Sequence, residues 1–165
     1  MIEKIKEEPL LSRLLRDECE ENEVCVTFDE SIPKENYVIL NIDEHYRSIQ
    51  LNRPPTPDCL IVQQCEDGTY SLFVIELKKA AKPRGFKVDK LVAKFETCLN
   101  DFMANEFKDI FDQKFKRVQL FFVSNIDPQT NKSLILKGLI SRSINFQGAN
   151  RPIVPKMPNY KIEKC

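Results

Sequence analysis

The chain has 165 residues, 25 Lys and Arg against 25 Asp and Glu, and a 42% hydrophobic fraction. One domain with a real core suits that length, and the apolar content excludes disorder. No apolar run approaches a membrane span, the N-terminal MIEKIKEE lacks the apolar core of a secretory signal, and zero net charge gives no global argument for nucleic acid.

Charge is nevertheless segregated along the chain. Residues 1–35 hold eleven acids against five Lys and Arg, whereas residues 78–94 and 129–165 each hold seven Lys and Arg against one acid. Residues 3–20 read as a helix with a stripe of Leu10, Leu11, Leu14 and Leu15, continued by Glu18, with Pro9 tolerated in its first turn. Val24 to Phe28 and Tyr37 to Ile42 read as strands separated by a Pro33-containing loop. His45 is the single histidine and has no local partner in the sequence to make it a base or a ligand, which predicts a surface or loop position. Arg53-Pro54-Pro55-Thr56-Pro57 is rigid and extended and delivers the chain to Asp58 with little slack.

The stretch Pro57 to Lys79, PDCLIVQQCEDGTYSLFVIELKK, organises the rest. Two apolar runs with strand composition flank Glu66-Asp67-Gly68. A two-residue turn would set Asp58 opposite Leu77. A three-residue loop, with Gly68 left-handed, sets Cys65 opposite Thr69 and Asp58 opposite Glu76. Alternation then places Lys78 on the face of Glu76, and Leu77 and Lys79 on the other. Gly in the third loop position favours this second register. Two facing carboxylates repel unless a cation joins them, and a hard divalent ion such as Mg²⁺ or Mn²⁺ takes such oxygen ligands and keeps several waters.

Pro57-Asp58 followed by Glu76-Leu77-Lys78 on the next strand resembles the PD-(D/E)xK motif of restriction-endonuclease-like nucleases. The resemblance covers the hairpin closely and the flanking element order loosely. It implies Asp58 and Glu76 as Mg²⁺ (or Mn²⁺) ligands and Lys78 as the residue that orients water or stabilises the transition state. An acid on the first helix faces the site in many such nucleases, and Glu18 is the candidate here.

After Lys78 the sequence KAAKPRGFK is a basic loop, in which Lys82, Arg84 and Lys87 are candidate contacts to a nucleic-acid backbone. Val88 to about Asn105 reads as a helix, because Val88, Leu91, Val92, Phe95, Cys98, Leu99, Phe102 and Met103 recur at helical spacing. Lys90 and Lys94 lie away from the centre of that stripe and extend the basic patch. Lys116 to Ser124 reads as a buried strand, Ser133 to Ser141 as a second helix, and residues 147–165, with three prolines, as an extended C-terminal tail.

A strand–helix–strand crossover predicts a mixed sheet with helices on both faces. That arrangement is a three-layer α/β/α fold with a mixed central sheet, similar to the restriction-endonuclease-like core. The six cysteines contain no CxxC pair, which argues against structural zinc; Cys59 and Cys98 sit in apolar patterns and read as small core residues. With no signal, the expected compartment is the cytosol.

The resemblance implies a metal-dependent DNA endonuclease of restriction type, working as a homodimer or with a larger specificity subunit and not at a membrane. A Holliday-junction resolvase or repair nuclease fits the small size as well. A non-catalytic relative that binds DNA or protein would have no reason to hold Asp58, Glu76 and Lys78 together.

Overall fold

The computed structural model describes residues 1–49, 53–79, 87–125, 137–139 and 141–165. Among the described residues, strands and α-helices follow one another along the chain. Two short helices, α1 (Ile2–Glu7) and α2 (Pro9–Ser12), open it, and β1 (Leu15–Arg16), β2 (Cys19–Glu21) and β3 (Val24–Phe28) follow. The single helix expected over residues 3–20 is therefore broken. Pro9 starts a second helix with its fixed φ, and Glu8 before it is extended (φ −71°, ψ 118°), as a residue preceding proline prefers.

Next come β4 (Tyr37–Leu40), α3 (Ile42–Ile49), the hairpin β5 (Cys59–Gln64) and β6 (Tyr70–Lys78), and α4 (Val88–Glu96). The helix α4 runs without a break into a π-helical stretch, Thr97–Glu106, before α5 (Lys108–Phe111) and β7 (Arg117–Ser124). The chain ends in β8 (Ser143–Phe146), β9 (Ala149–Lys156) and β10 (Tyr160–Ile162).

Seven strands form one sheet in the order β1-β4-β5-β6-β7-β9-β8. From β4 to β6 neighbours are antiparallel; β6, β7 and β9 are parallel, so the crossover through α4 joins strands pointing the same way. Alternation along β5, β6 and β7 divides the core in two. Leu60, Val62, Leu72, Val74, Leu120 and Phe122 pack against Leu91, Phe95, Leu99 and Phe102 of the long helix, with Ile5, Leu11 and Tyr46 on the same side. Ile61, Phe73, Ile75, Leu77, Phe121 and Val123 pack against Val24, Val26 and Ile162. Each of these large apolar side chains contributes roughly 1.5–3 kcal/mol by leaving water.

The second face carries a three-stranded sheet, β10-β3-β2, and no helix among the described residues. The mixed central sheet agrees with the sequence reading; of the helices expected on both faces, the described residues place helix on one side and the small sheet on the other. The C-terminal stretch explains the difference. Residues 147–165 are extended as expected, but they form no free tail: β9 pairs with β7, β10 pairs with β3, and Cys165 is disulfide-bonded to Cys65.

A second disulfide joins Cys19 to Cys59, which corrects the reading of Cys59 as an unpaired core residue; Cys98 is buried and free, as expected. Disulfides persist where thiols oxidise, so they offer no support to the cytosolic expectation. No described helix is long and apolar enough to cross a membrane. His45 is also not at the surface. It is buried on α3, 2.5 Å from Glu106 Oε2 and enclosed by the rings of Tyr46, Phe102 and Phe107.

Candidate active site

The hairpin adopts the three-residue loop. Cys65 N–H donates to the Thr69 carbonyl at 2.8 Å and Gly68 N–H donates to the Cys65 carbonyl at 3.0 Å. Gly68 has φ +77°, and a Cβ there would meet nothing within 4 Å, so backbone conformation and not crowding requires glycine. Asp67 fixes the loop by accepting from Thr69 N–H at 3.1 Å. Gln64 therefore pairs with Tyr70 and Cys59 with Ile75, and the next step outward sets Asp58 against Glu76.

Asp58 is anchored across the hairpin. Its N–H donates to the Ile75 carbonyl at 3.1 Å, and its Oδ2 accepts the Leu77 N–H at 2.6 Å. Thr56 just before it is buried and donates to Asp43 Oδ1 at 3.2 Å, which fixes the Pro-rich approach to the strand. Glu76 belongs to the helix-facing side of β6 and is 6% exposed. Its Oε1 accepts the Lys94 ammonium at 2.7 Å, while its Oε2 is buried with no donor to it; a protonated Glu76 shares its proton with Asp58, and the ionised form leaves the two carboxylates facing each other.

The electrostatics follow from this burial. Glu76 is pushed up to about 8, first by burial and then by the Asp58 charge, against the pull of Lys94. Asp58 is also raised, by burial first, although the Leu77 N–H and Lys94 oppose the rise. Burial alone would lower Lys94, but Glu76, Asp58 and Glu21 outweigh it and hold its ammonium on. The 2.7 Å contact suits either state of Glu76, since an ammonium donates to a neutral carboxyl oxygen as well as to a carboxylate.

A cavity of about 400 Å³ opens beside Asp58, with Lys94, Arg16, Arg47, Glu18 and Glu21 in its wall. Glu18 thus stands near the site, but from the exposed turn between β1 and β2 and not from a helix. Arg16 pairs with Glu44, and Arg47 pairs with Asp43 at 2.8 Å, so both guanidiniums are already engaged. Lys78 ends β6 exposed on the Glu76 face, in register with Ser124 of β7. Lys79 turns the other way and pairs with Glu23 between β2 and β3, as alternation requires. Of the basic-loop candidates, Lys87 is exposed at the start of α4; Lys82 and Arg84 lie outside the described residues.

Lys94 was legible only as part of a basic patch. It falls three residues after Leu91 and four before Cys98, on the flank of the buried stripe, and a lysine there is the signal that it reaches something acidic under the helix. Glu21 carried no signal of its own, because its place depends on β2 packing across the second face.

Among the described residues no three acids, histidines or cysteines converge as a metal cage. The two carboxyls that do converge supply hard oxygen donors, and the buried, donorless Glu76 Oε2 beside Asp58 is an acceptor that a cation would satisfy. Mg²⁺ or Mn²⁺, which retains waters on a one- or two-carboxylate site, fits these residues. Comparison of the chain with protein-family models, with curated proteins and with solved structures finds no match in any of the three.

Proposed function

We propose that this chain is a metal-dependent DNA endonuclease of restriction type, with a restriction-endonuclease-like core built around the β5–β6 hairpin. The observation that carries the reading is the meeting of Asp58 with a Glu76 whose Oε2 is buried without a donor. Mg²⁺ or Mn²⁺ held by these two carboxyls would supply Lewis acidity and a water of lowered pKa.

The protein's own groups do the remainder. Asp58 is held in place by the Leu77 N–H, so that donor needs little reorganisation, and Lys94 holds Glu76 until the ion arrives. Lys78, at the exposed end of the same strand face, meets the scissile phosphate and offsets the charge that grows on its oxygens as water adds and the P–O bond breaks. Lys82, Arg84 and Lys87 are the proposed contacts to the nucleic-acid backbone. A cut through both strands would need a second copy or a larger specificity subunit.

The test is nicking of supercoiled, linear and branched DNA with and without Mg²⁺. Metal-dependent cleavage of supercoiled and linear DNA supports the restriction-type reading. Cleavage confined to branched DNA would move the reading to a junction resolvase, and none on any substrate would sink the enzymatic reading altogether.

A further inference from the structure

We infer that Lys94 is a resident cation on the Asp58–Glu76 carboxyl pair: its ammonium occupies Glu76 Oε1 while no divalent ion is bound, and binding of one displaces it into the adjoining cavity, toward a substrate phosphate. This deepens the nuclease reading of Asp58 and Glu76 and rests on it.

Three observations support the role. The Lys94 Nζ is 2.7 Å from Glu76 Oε1, and the side chain is only 29% exposed, so the contact is shielded from the screening that weakens surface pairs. Glu18, Glu20 and Glu21 stand in the same wall as Asp58 and Lys94, so the ammonium sits among acids. Finally, Lys94 lines the same cavity as Asp58, in which Arg16 and Arg47 are bound to Glu44 and Asp43. Lys78, by contrast, stands exposed at the strand end.

An ammonium and a divalent ion on one carboxyl repel each other strongly in a half-buried site. A lysine on a flexible four-carbon stem resolves that by swinging, which a guanidinium locked in a fork does less readily. The cavity gives it somewhere to go. Metal binding and phosphate binding then favour each other, since the metal releases the charge that the phosphate attracts, and such coupling is reciprocal.

The test is a calorimetric Mn²⁺ titration of the full chain as wild type, Lys94→Met, Lys94→Arg and Lys78→Met, beside single-turnover nicking. Removing the ammonium lifts a repulsion on the metal that is about twice the one it exerts on a competing proton, so Lys94→Met should bind Mn²⁺ on the order of tenfold tighter. The same variant should nick DNA on the order of a hundredfold more slowly. Lys94→Arg, which swings aside less readily, should bind Mn²⁺ more weakly than wild type, and Lys78→Met should lose rate without changing affinity. A lysine that only packs the helix would give no tightening, with Lys94→Met binding Mn²⁺ equally or more weakly, and that result overturns the inference. Should Lys94→Met fail to fold, Lys94→Gln is read in the same way. A wild type that neither binds Mn²⁺ nor nicks DNA overturns the nuclease reading as well. A wild type that does both, with Lys94→Met unchanged, overturns the role of Lys94 alone.

Discussion

Glu76 on a central strand and Lys94 on the helix that crosses it are joined at 2.7 Å, and the remaining Glu76 oxygen is buried beside Asp58 without a donor. The pair couples the crossover helix to the hairpin at the one point where that hairpin carries acid toward the helix layer. Its energetics depend on pH in a direction that can be worked out.

Glu76 titrates near its ordinary 4.5 when unfolded and near about 8 when folded, chiefly because it is buried. Below 4.5 both states hold the proton. Between the two values the folded state binds more protons than the unfolded one, so stability falls as pH rises, at up to about 1.4 kcal/mol per pH unit. Above about 8 the loss levels off. The raised Asp58 acts in the same direction from its ordinary 3.8 upward, and the ammonium of Lys94 moderates both. Chemical denaturation of the metal-free protein from pH 5 to pH 9 should show this fall, and Glu76→Gln should flatten it. Equal slopes in the two proteins would mean that Glu76 is not held protonated.

Metal should reverse that penalty. Binding of Mg²⁺ near neutral pH requires Glu76 to release its proton. Calorimetry in two buffers of different ionisation enthalpy should therefore report proton release on binding at pH 7, shrinking toward zero by pH 9. Binding without proton release at pH 7 would place the ion elsewhere.

The amide variants separate charge from shape. Asp58→Asn keeps an oxygen for the Leu77 N–H, so its stability should stay within about 1 kcal/mol of wild type. Glu76→Gln removes a buried ionisable group and should be no less stable than wild type at pH 9. Both should lose at least about a hundredfold in cleavage rate, because neither amide presents the carboxylate charge to a cation. If Asp58→Asn cuts at the wild-type rate, the assigned site is wrong.

What the sequence revealed follows the range of the interactions involved. The hairpin was legible because Gly68 and strand alternation are local, and together they fix the facing of Asp58 and Glu76 and the opposite facing of Lys79. The long helix was legible from its apolar spacing. The C-terminal strands were hidden by their prolines. In β9, Pro152 lies where only β8 is paired and Pro155 where only β7 is, so neither interrupts a ladder on both sides. Glu18 was placed on a helix because Leu11, Leu14 and Leu15 mimic a stripe, whereas Leu11 and Leu14 are buried around a Pro9-initiated turn that leads into a strand. The Cys19–Cys59 bond could not be read at all, since it joins residues 40 apart through the packing of two sheets.

The cysteines give a direct check on that packing. In the unreduced native protein, an alkylating reagent should reach half-buried Cys25 quickly and Cys98 only on unfolding, because Cys98 is enclosed and burial pushes its thiol up. Cys19, Cys59, Cys65 and Cys165 should label only after reduction. Loss of the Cys65–Cys165 bond, which spans 100 residues, should cost about 4–5 kcal/mol. Labelling of Cys165 without reductant would free the C-terminus from the hairpin loop.

Lys78 and Lys79 are neighbours with opposite fates. Lys78 shares the helix-facing side of β6 with Glu76, and Lys79 is tied to Glu23 on the far side. Lys78→Ala should cut the cleavage rate by at least about a hundredfold while metal and DNA binding survive, because a charge placed at the reacting phosphate acts mainly in the transition state. Lys79→Ala removes a surface ion pair and should shift stability by no more than about 0.5 kcal/mol, with no effect on rate. The comparison reports on strand phase as well as on chemistry. A dead Lys79→Ala beside an active Lys78→Ala would mean that β6 is phased one residue off in solution, and Glu76 would then turn away from Asp58 and lose its place in the site.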